Sequence, residues 1–142
     1  MNDSIYLLDT SALMAWLEDE DGADRVEALL LNEPVLIPFV ALLEVYYITL
    51  QERGESVATQ RHKTLKRTPA DVLWEMDEPT LLIAARFKAG HRISFADAIV
   101  AGFAASRNAV LVHKDPEFEP LTGHMLLEAL PYKTQRSLRA EE

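Results

Sequence analysis

Ile5-Tyr6-Leu7-Leu8-Asp9-Thr10-Ser11 is the stretch on which the fold turns. Its four leading apolar residues are too few for a helix and are placed like a buried strand. Asp9, Thr10 and Ser11 then offer side-chain oxygens to the free N–H groups of a helix start, and an apolar segment through Leu17 follows. A buried strand running straight into a helix opens a βα unit.

The rest of the chain repeats that alternation. Asp21-Gly22 breaks the first helix, and Ala23, Val26 and Leu30 mark one face of a second. Val35 to Ile37 reads as a strand ended by Pro38. The spacing of Val40, Leu43, Tyr47 and Leu50 predicts a helix from Phe39 to about Glu52, closed by Arg53-Gly54. Ser56 to Arg67 is a polar, basic helix, and Asp71 to Met76 a third strand. Glu78-Pro79 opens a helix that Gly90 stops. Ser94 stands as N-cap to Phe95–Arg107, a helix apolar nearly all round and hence buried. Asn108 suits a left-handed stop before a strand from Ala109 to Val112. After the Asp115-Pro116 turn, Met125 to Leu130 is a last, edge-like strand. The expected fold class is α/β: one domain over residues 1–131, with a mostly parallel central sheet and helices on both faces. Residues 132–142 are expected to form a charged C-terminal tail.

Composition narrows the function classes. A chain of 142 residues fits one domain, and with 49% apolar residues it needs no staple to hold a core. It has no cysteine, which excludes disulfides and thiolate metal sites. Its start carries an acid and no basic flank, unlike a secretory leader. The longest apolar stretch, Val35 to Leu50, is interrupted by Pro38 and Glu44 and is too short for a bilayer. The expectation is a cytoplasmic protein with no membrane partner. A net charge of -9 argues against blanket electrostatic binding of nucleic acid. Any such role needs a local basic patch, bound cations, or both.

In open parallel sheets the ligand crevice lies beyond the carboxyl ends of the strands. Four acids fall there. Asp9 directly follows the first strand, and Asp115 follows the Ala109–Val112 strand. Glu44 lies early in the helix that leaves the second strand, and Asp97 in the first turn of the buried helix. Carboxylates gathered without a partner repel and resist burial, and a divalent cation resolves that conflict. Mg²⁺ or Mn²⁺ prefers such hard oxygen ligands and keeps waters that chemistry can use. Each acid also has a plain structural role open to it. Asp9 is a possible N-cap, Asp97 a capping-box acid three residues after Ser94, and Asp115 a turn former. Glu44 interrupts an apolar run, although a solvated helix flank would also tolerate it.

Leu7-Leu8-Asp9-Thr10-Ser11, Leu43-Glu44-Val45, Ile93-Ser94-Phe95-Ala96-Asp97-Ala98 and Leu111-Val112-His113-Lys114-Asp115-Pro116-Glu117-Phe118 together resemble the PIN-domain ribonucleases, and among them the VapC-type toxins. The ordered set spans nearly the whole chain. The resemblance implies a PIN fold, Mg²⁺ or Mn²⁺ dependence, and hydrolysis of single-stranded or looped RNA. It implies Asp9, Glu44 and Asp97 as core catalytic and metal-binding acids, with Asp115 the more variable fourth. It also implies support from Thr10 or Ser11, an antitoxin protein partner, and a homodimer. One departure is His113, where the family often has Ser, Thr or Asn. By period two its side chain is expected on the same side as Asp115, contacting a phosphate or merely closing the crevice.

Weaker signals complete the picture. His62, His91 and His124 have no ligand spacing along the chain, which argues against a zinc site. Arg61 to Arg67 is the main basic segment, and Lys63, Lys66 and Arg67 form one helical stripe suited to RNA or to plain solvation. Tyr46, Tyr47, Trp16 and Trp74 read as core or interface aromatics. Rival acid-pocket enzymes fit less well, because Asp9 is followed by Thr10-Ser11 and not by the Asp-x-Asp of aspartyl-phosphate enzymes. A response-regulator receiver fits poorly too: Lys114 would have to serve as its lysine, beside Asp115. A PIN nuclease of RNA processing and a non-catalytic PIN-fold binding module remain as the alternative functions.

Overall fold

A computed structural model describes residues 3–133. Its sheet has five strands in the order β3-β2-β1-β4-β5, every neighbouring pair parallel. In chain order the elements are β1 (Tyr6–Leu8), α1 (Thr10–Leu17), α2 (Ala23–Asn32), β2 (Val35–Pro38), α3 (Phe39–Arg53) and α4 (Glu55–Arg67). There follow β3 (Asp71–Leu73), α5 (Glu78–Gly90), α6 (Phe95–Ser106), β4 (Val110–His113), a 3-10 helix (Pro116–Leu121) and β5 (Leu127–Ala129).

The pleat of the central strand sorts its side chains into two cores. Tyr6 and Leu8 point to one face, where they join Leu13, Val26, Leu29 and Ile37 under α1 and α2. Leu7 points to the other, joining Val100, Phe103, Leu111 and Phe118 under α6. This two-sided cover is why β1 reads as unbroken apolar sequence. On the second face α5 and α6 press together closely. A Cβ at Gly102 would lie 2.8 Å from the Cβ of Ala84, so only glycine permits that approach.

Helix ends follow local chemistry. Gly54, at φ 88°, closes α3 and opens α4, and Asn108, at φ 53°, makes the left-handed stop before β4. Strand bounds differ from the sequence reading, most at β3 and at β5, which is Leu127–Ala129 where Met125 to Leu130 is expected. β3 stops at Leu73 because its partner ends: Pro38 pairs with Leu73, and β2 then turns into α3. Trp74 is consequently 57% exposed. With Tyr47 it borders a groove that also takes in Phe39, Leu43 and Tyr46. β4 extends to His113, whose pairing with Ala129 continues the ladder. Of the expected tail, only Tyr132 and Lys133 lie within the described residues. Among the described residues no helix is long and apolar enough to cross a membrane.

Candidate active site

Asp9 leaves β1 at the centre of the carboxyl edge, and its N–H still bonds the Val112 carbonyl of β4 at 3.2 Å. Its carboxylate is an N-cap after all, accepting from the Ala12 N–H at 2.8 Å. It also accepts the shared hydroxyl proton of Ser11 at 2.8 and 2.7 Å. Ser11 in turn accepts the N–H of Lys114 at 2.8 Å, so one hydroxyl ties the β1 and β4 ends together. Lys114 is turned away from the acids, its ammonium 3.3 Å from Glu20 and 3.0 Å from the Asp21 carbonyl. Thr10 donates to Glu44 at 2.6 Å, which aims the α3 carboxylate toward the start of α1.

Asp97 is only 9% exposed, at the third position of α6. Its N–H donates to the Ser94 hydroxyl at 3.1 Å, so Ser94 is the expected N-cap. The reciprocal half of a capping box would take the Asp97 carboxylate back to the Ser94 N–H. That bond is made by Glu117 instead. Asp97 is thereby released from capping, and Glu117, the second residue of the 3-10 helix, fills its place.

Asp115 is held twice over. Its N–H donates to Nδ1 of His113 at 3.2 Å, and its own Oδ1 accepts from the Glu117 N–H at 2.9 Å. His113 itself is 1% exposed, packed against Phe118 and Tyr132. A phosphate contact is therefore excluded. Burial lowers its pKa, and an Nδ1 that accepts carries no proton. The histidine that departs from the family pattern meets Asp115 through the Asp115 backbone N–H.

Carboxylate oxygens of Asp97, Asp115 and Glu117 lie within 4.8 Å of one another. Electrostatics draws in the rest. Burial raises Asp97 to about 8, reinforced by the charges of Asp9, Glu117, Asp115 and Glu44 in that order. Burial raises Asp9 to about 7, against the lowering effect of the Ala12 and Ser11 hydrogen bonds. Asp9, Glu44 and Asp115 thus all act on Asp97, and Glu117 joins them. The sequence reading missed Glu117 as a site residue, although it stands two residues after Asp115, where a turn-forming aspartate accepts the backbone N–H. Such a set of hard oxygen donors, short of positive charge, suits Mg²⁺ or Mn²⁺.

The basic segment is divided. Arg61 is 9% exposed and turned inward, donating to Thr49 at 3.2 Å and pairing with Glu18 at 3.4 Å. Lys63, Lys66 and Arg67 are exposed, and α4 gives no residue to the acid cluster.

An all-parallel α/β domain with buried acids at its carboxyl edge defines a class of acid-pocket proteins. Within it, residues 6–122 match the PIN domain model, and the chain belongs to the PIN domain family. Curated protein sequences give no match. Solved VapBC and VapC structures are similar in fold. VapBC2 from Rickettsia felis, bound to a promoter DNA fragment, is 18% identical with a TM-score of 0.74, covering 89% of this chain and 99% of its own. VapBC-1 from nontypeable Haemophilus influenzae is 24% identical with a TM-score of 0.70, covering 88% and 97%. VapC20 from Mycobacterium tuberculosis, a sarcin–ricin loop cleaving toxin, is 19% identical with a TM-score of 0.68, covering 89% and 99%.

Proposed function

We propose that this PIN domain is a divalent-metal-dependent endoribonuclease and the toxin of a toxin–antitoxin pair. The observation that carries the reading is Asp97, a nearly buried acid raised to about 8 by burial first and then by four neighbouring carboxylates. Structural acids are paired with cations or N–H donors, and a cluster that raises its own members is arranged for something positive that binds there. Asp9, Glu44, Asp97 and Asp115, with Glu117, are the residues that would hold Mg²⁺ or Mn²⁺. When bound, such an ion supplies a polarised water and offsets charge on the attacked phosphodiester.

The protein's own contribution is to hold the acids oriented, while the bound ion would favour their ionised forms. Ser11 and the Ala12 N–H fix Asp9, Thr10 fixes Glu44, and the His113 ring fixes Asp115. RNA as substrate is supported by the described activity of VapC20. An antitoxin is supported by the VapBC complexes of the same fold, and a homodimer by the family resemblance. An arginine or lysine of the antitoxin entering the acid cluster would replace the metal's charge and silence the site. The test is cleavage of a mixed RNA pool and of single-stranded DNA, in EDTA and in millimolar Mg²⁺ or Mn²⁺, with Asp97→Asn as control. Metal-dependent RNA cleavage abolished by the substitution is the expected result. Absence of cleavage under every condition would leave a PIN-fold binding module.

A further inference from the structure

His91 and His124 lie 33 residues apart in sequence, yet the fold sets their rings together. The ring centroids are 5.4 Å apart and the planes 81° to one another. His91 follows α5, and His124 follows the 3-10 helix beyond the acids. Both rings also meet Phe87, at 6.3 and 5.8 Å, which backs the pair with an apolar floor. His124 is exposed and His91 half-buried, so the pair opens to solvent.

From this geometry we propose that His91 and His124 form a two-imidazole chelate for a borderline transition-metal ion such as Zn²⁺ or Cu²⁺, distinct from the carboxylate site. Two facts carry it. The first is spacing: a metal–nitrogen bond of about 2.0–2.1 Å places each ring centroid about 3.2 Å from the ion, and a tetrahedral angle then separates two centroids by about 5.2 Å. The observed separation of 5.4 Å leaves room for that arrangement once the rings turn their Nε2 atoms to one ion. The second is the tautomer. Nδ1 of His91 lies 3.3 Å from the Phe87 carbonyl, which can only accept, so Nδ1 carries the proton and Nε2 keeps its lone pair. A carbonyl behind one ring nitrogen is the usual support for a metal on the other. Imidazole nitrogens favour such ions over Mg²⁺, whereas the acid cluster favours hard cations. Water completes the coordination.

The test uses the full-length chain in excess Mg²⁺, which occupies the carboxylates, titrated with Cu²⁺ and followed by electron paramagnetic resonance. One ion showing coupling to two nitrogens is expected. His91→Gln and His124→Gln should each leave coupling to one nitrogen and weaken binding at least about tenfold. Asp97→Asn should leave both unchanged, whatever becomes of nuclease activity. Zn²⁺ should compete for the same ion site. No binding, binding unaltered in either histidine variant, or binding lost with Asp97→Asn would overturn the proposal.

Discussion

Glu117 accepts the backbone N–H of Ser94, the bond that Asp97 would otherwise make from the third position of its own helix. The start of α6 is thus satisfied from outside, by an acid on the loop after β4. Capping and cluster-building, which compete for Asp97 on sequence grounds, are divided between two residues. Glu117→Gln keeps an oxygen for Ser94 but removes a charge from the cluster. It should leave the melting midpoint nearly unchanged and weaken Mn²⁺ binding by about tenfold or more. Glu117→Ala should in addition cost about 1 kcal/mol of stability, read by urea unfolding.

The metal-free protein should lose stability as pH rises. Asp9 and Asp97 ordinarily titrate near 3.8, and here they are raised to about 7 and about 8. The folded state therefore binds protons more tightly than the unfolded state. The stability this contributes is complete below about pH 4 and is lost as pH climbs through 7 to 8. Melting in EDTA should show a lower midpoint at pH 8 than at pH 6. Saturating Mg²⁺ or Mn²⁺ binds the ionised acids and should remove that fall. Asp97→Asn should flatten the upper part of the profile in EDTA. A midpoint that neither metal raises would count against the site.

Substitution of the acids should separate chemistry from folding. Asp9→Asn, Glu44→Gln and Asp97→Asn should each reduce RNA cleavage by at least about 100-fold with the circular dichroism spectrum intact. Sequence ranks Asp115 as the variable member, but its place beside Asp97 and Glu117 ranks it with the others. Asp115→Asn should therefore be as damaging as Asp97→Asn. A mild effect there would return it to the role of turn former.

Ser11→Ala probes the orientation of Asp9. Its hydroxyl donates to Asp9 and accepts from Lys114, so the change leaves an N–H of the β4 end unsatisfied. The expected losses are about 1–3 kcal/mol of stability and about 10–100-fold in activity. Ser11→Thr, which keeps the hydroxyl, should recover most of the activity.

Lys63, Lys66 and Arg67 should hold RNA, while Arg61 should not. Each phosphate contact contributes about -0.7 to the slope of log affinity against log salt on single strands. The triple change of these three to Glu should weaken binding and flatten the slope, leaving metal stabilisation as it was. Arg61→Gln should instead lower stability through its lost bonds to Thr49 and Glu18.

The fold was legible because apolar periodicity and helix stops are local signals. The Tyr6–Leu8 strand, the Gly54 break and the Asn108 stop all follow from residues within a few positions. The four acids were legible through the carboxyl-edge rule, which needs only strand order in sequence. What escaped depends on partners remote in the chain. β3 is short because β2 turns at Pro38, and His113 is buried because Phe118 and Tyr132 close over it. Glu117 earned its place only when Ser94, 23 residues earlier, came to meet it. The histidine pair is invisible to spacing rules for the same reason.

The central position of β1 also sets a timetable for synthesis. Its β4 partner begins at Val110, so one edge of the first strand stays open while about a hundred residues are added. At about 5–20 residues per second that interval lasts about 5–20 s. Asp9 leaves the ribosome early, but Asp115 and Glu117 come last, and the acids cannot meet before both have emerged. A ribosome-bound chain has no assembled acid cluster until Glu117 has emerged. If the chain is the proposed toxin, a binding protein thus has seconds in which to reach the N-terminal half before the acid cluster exists.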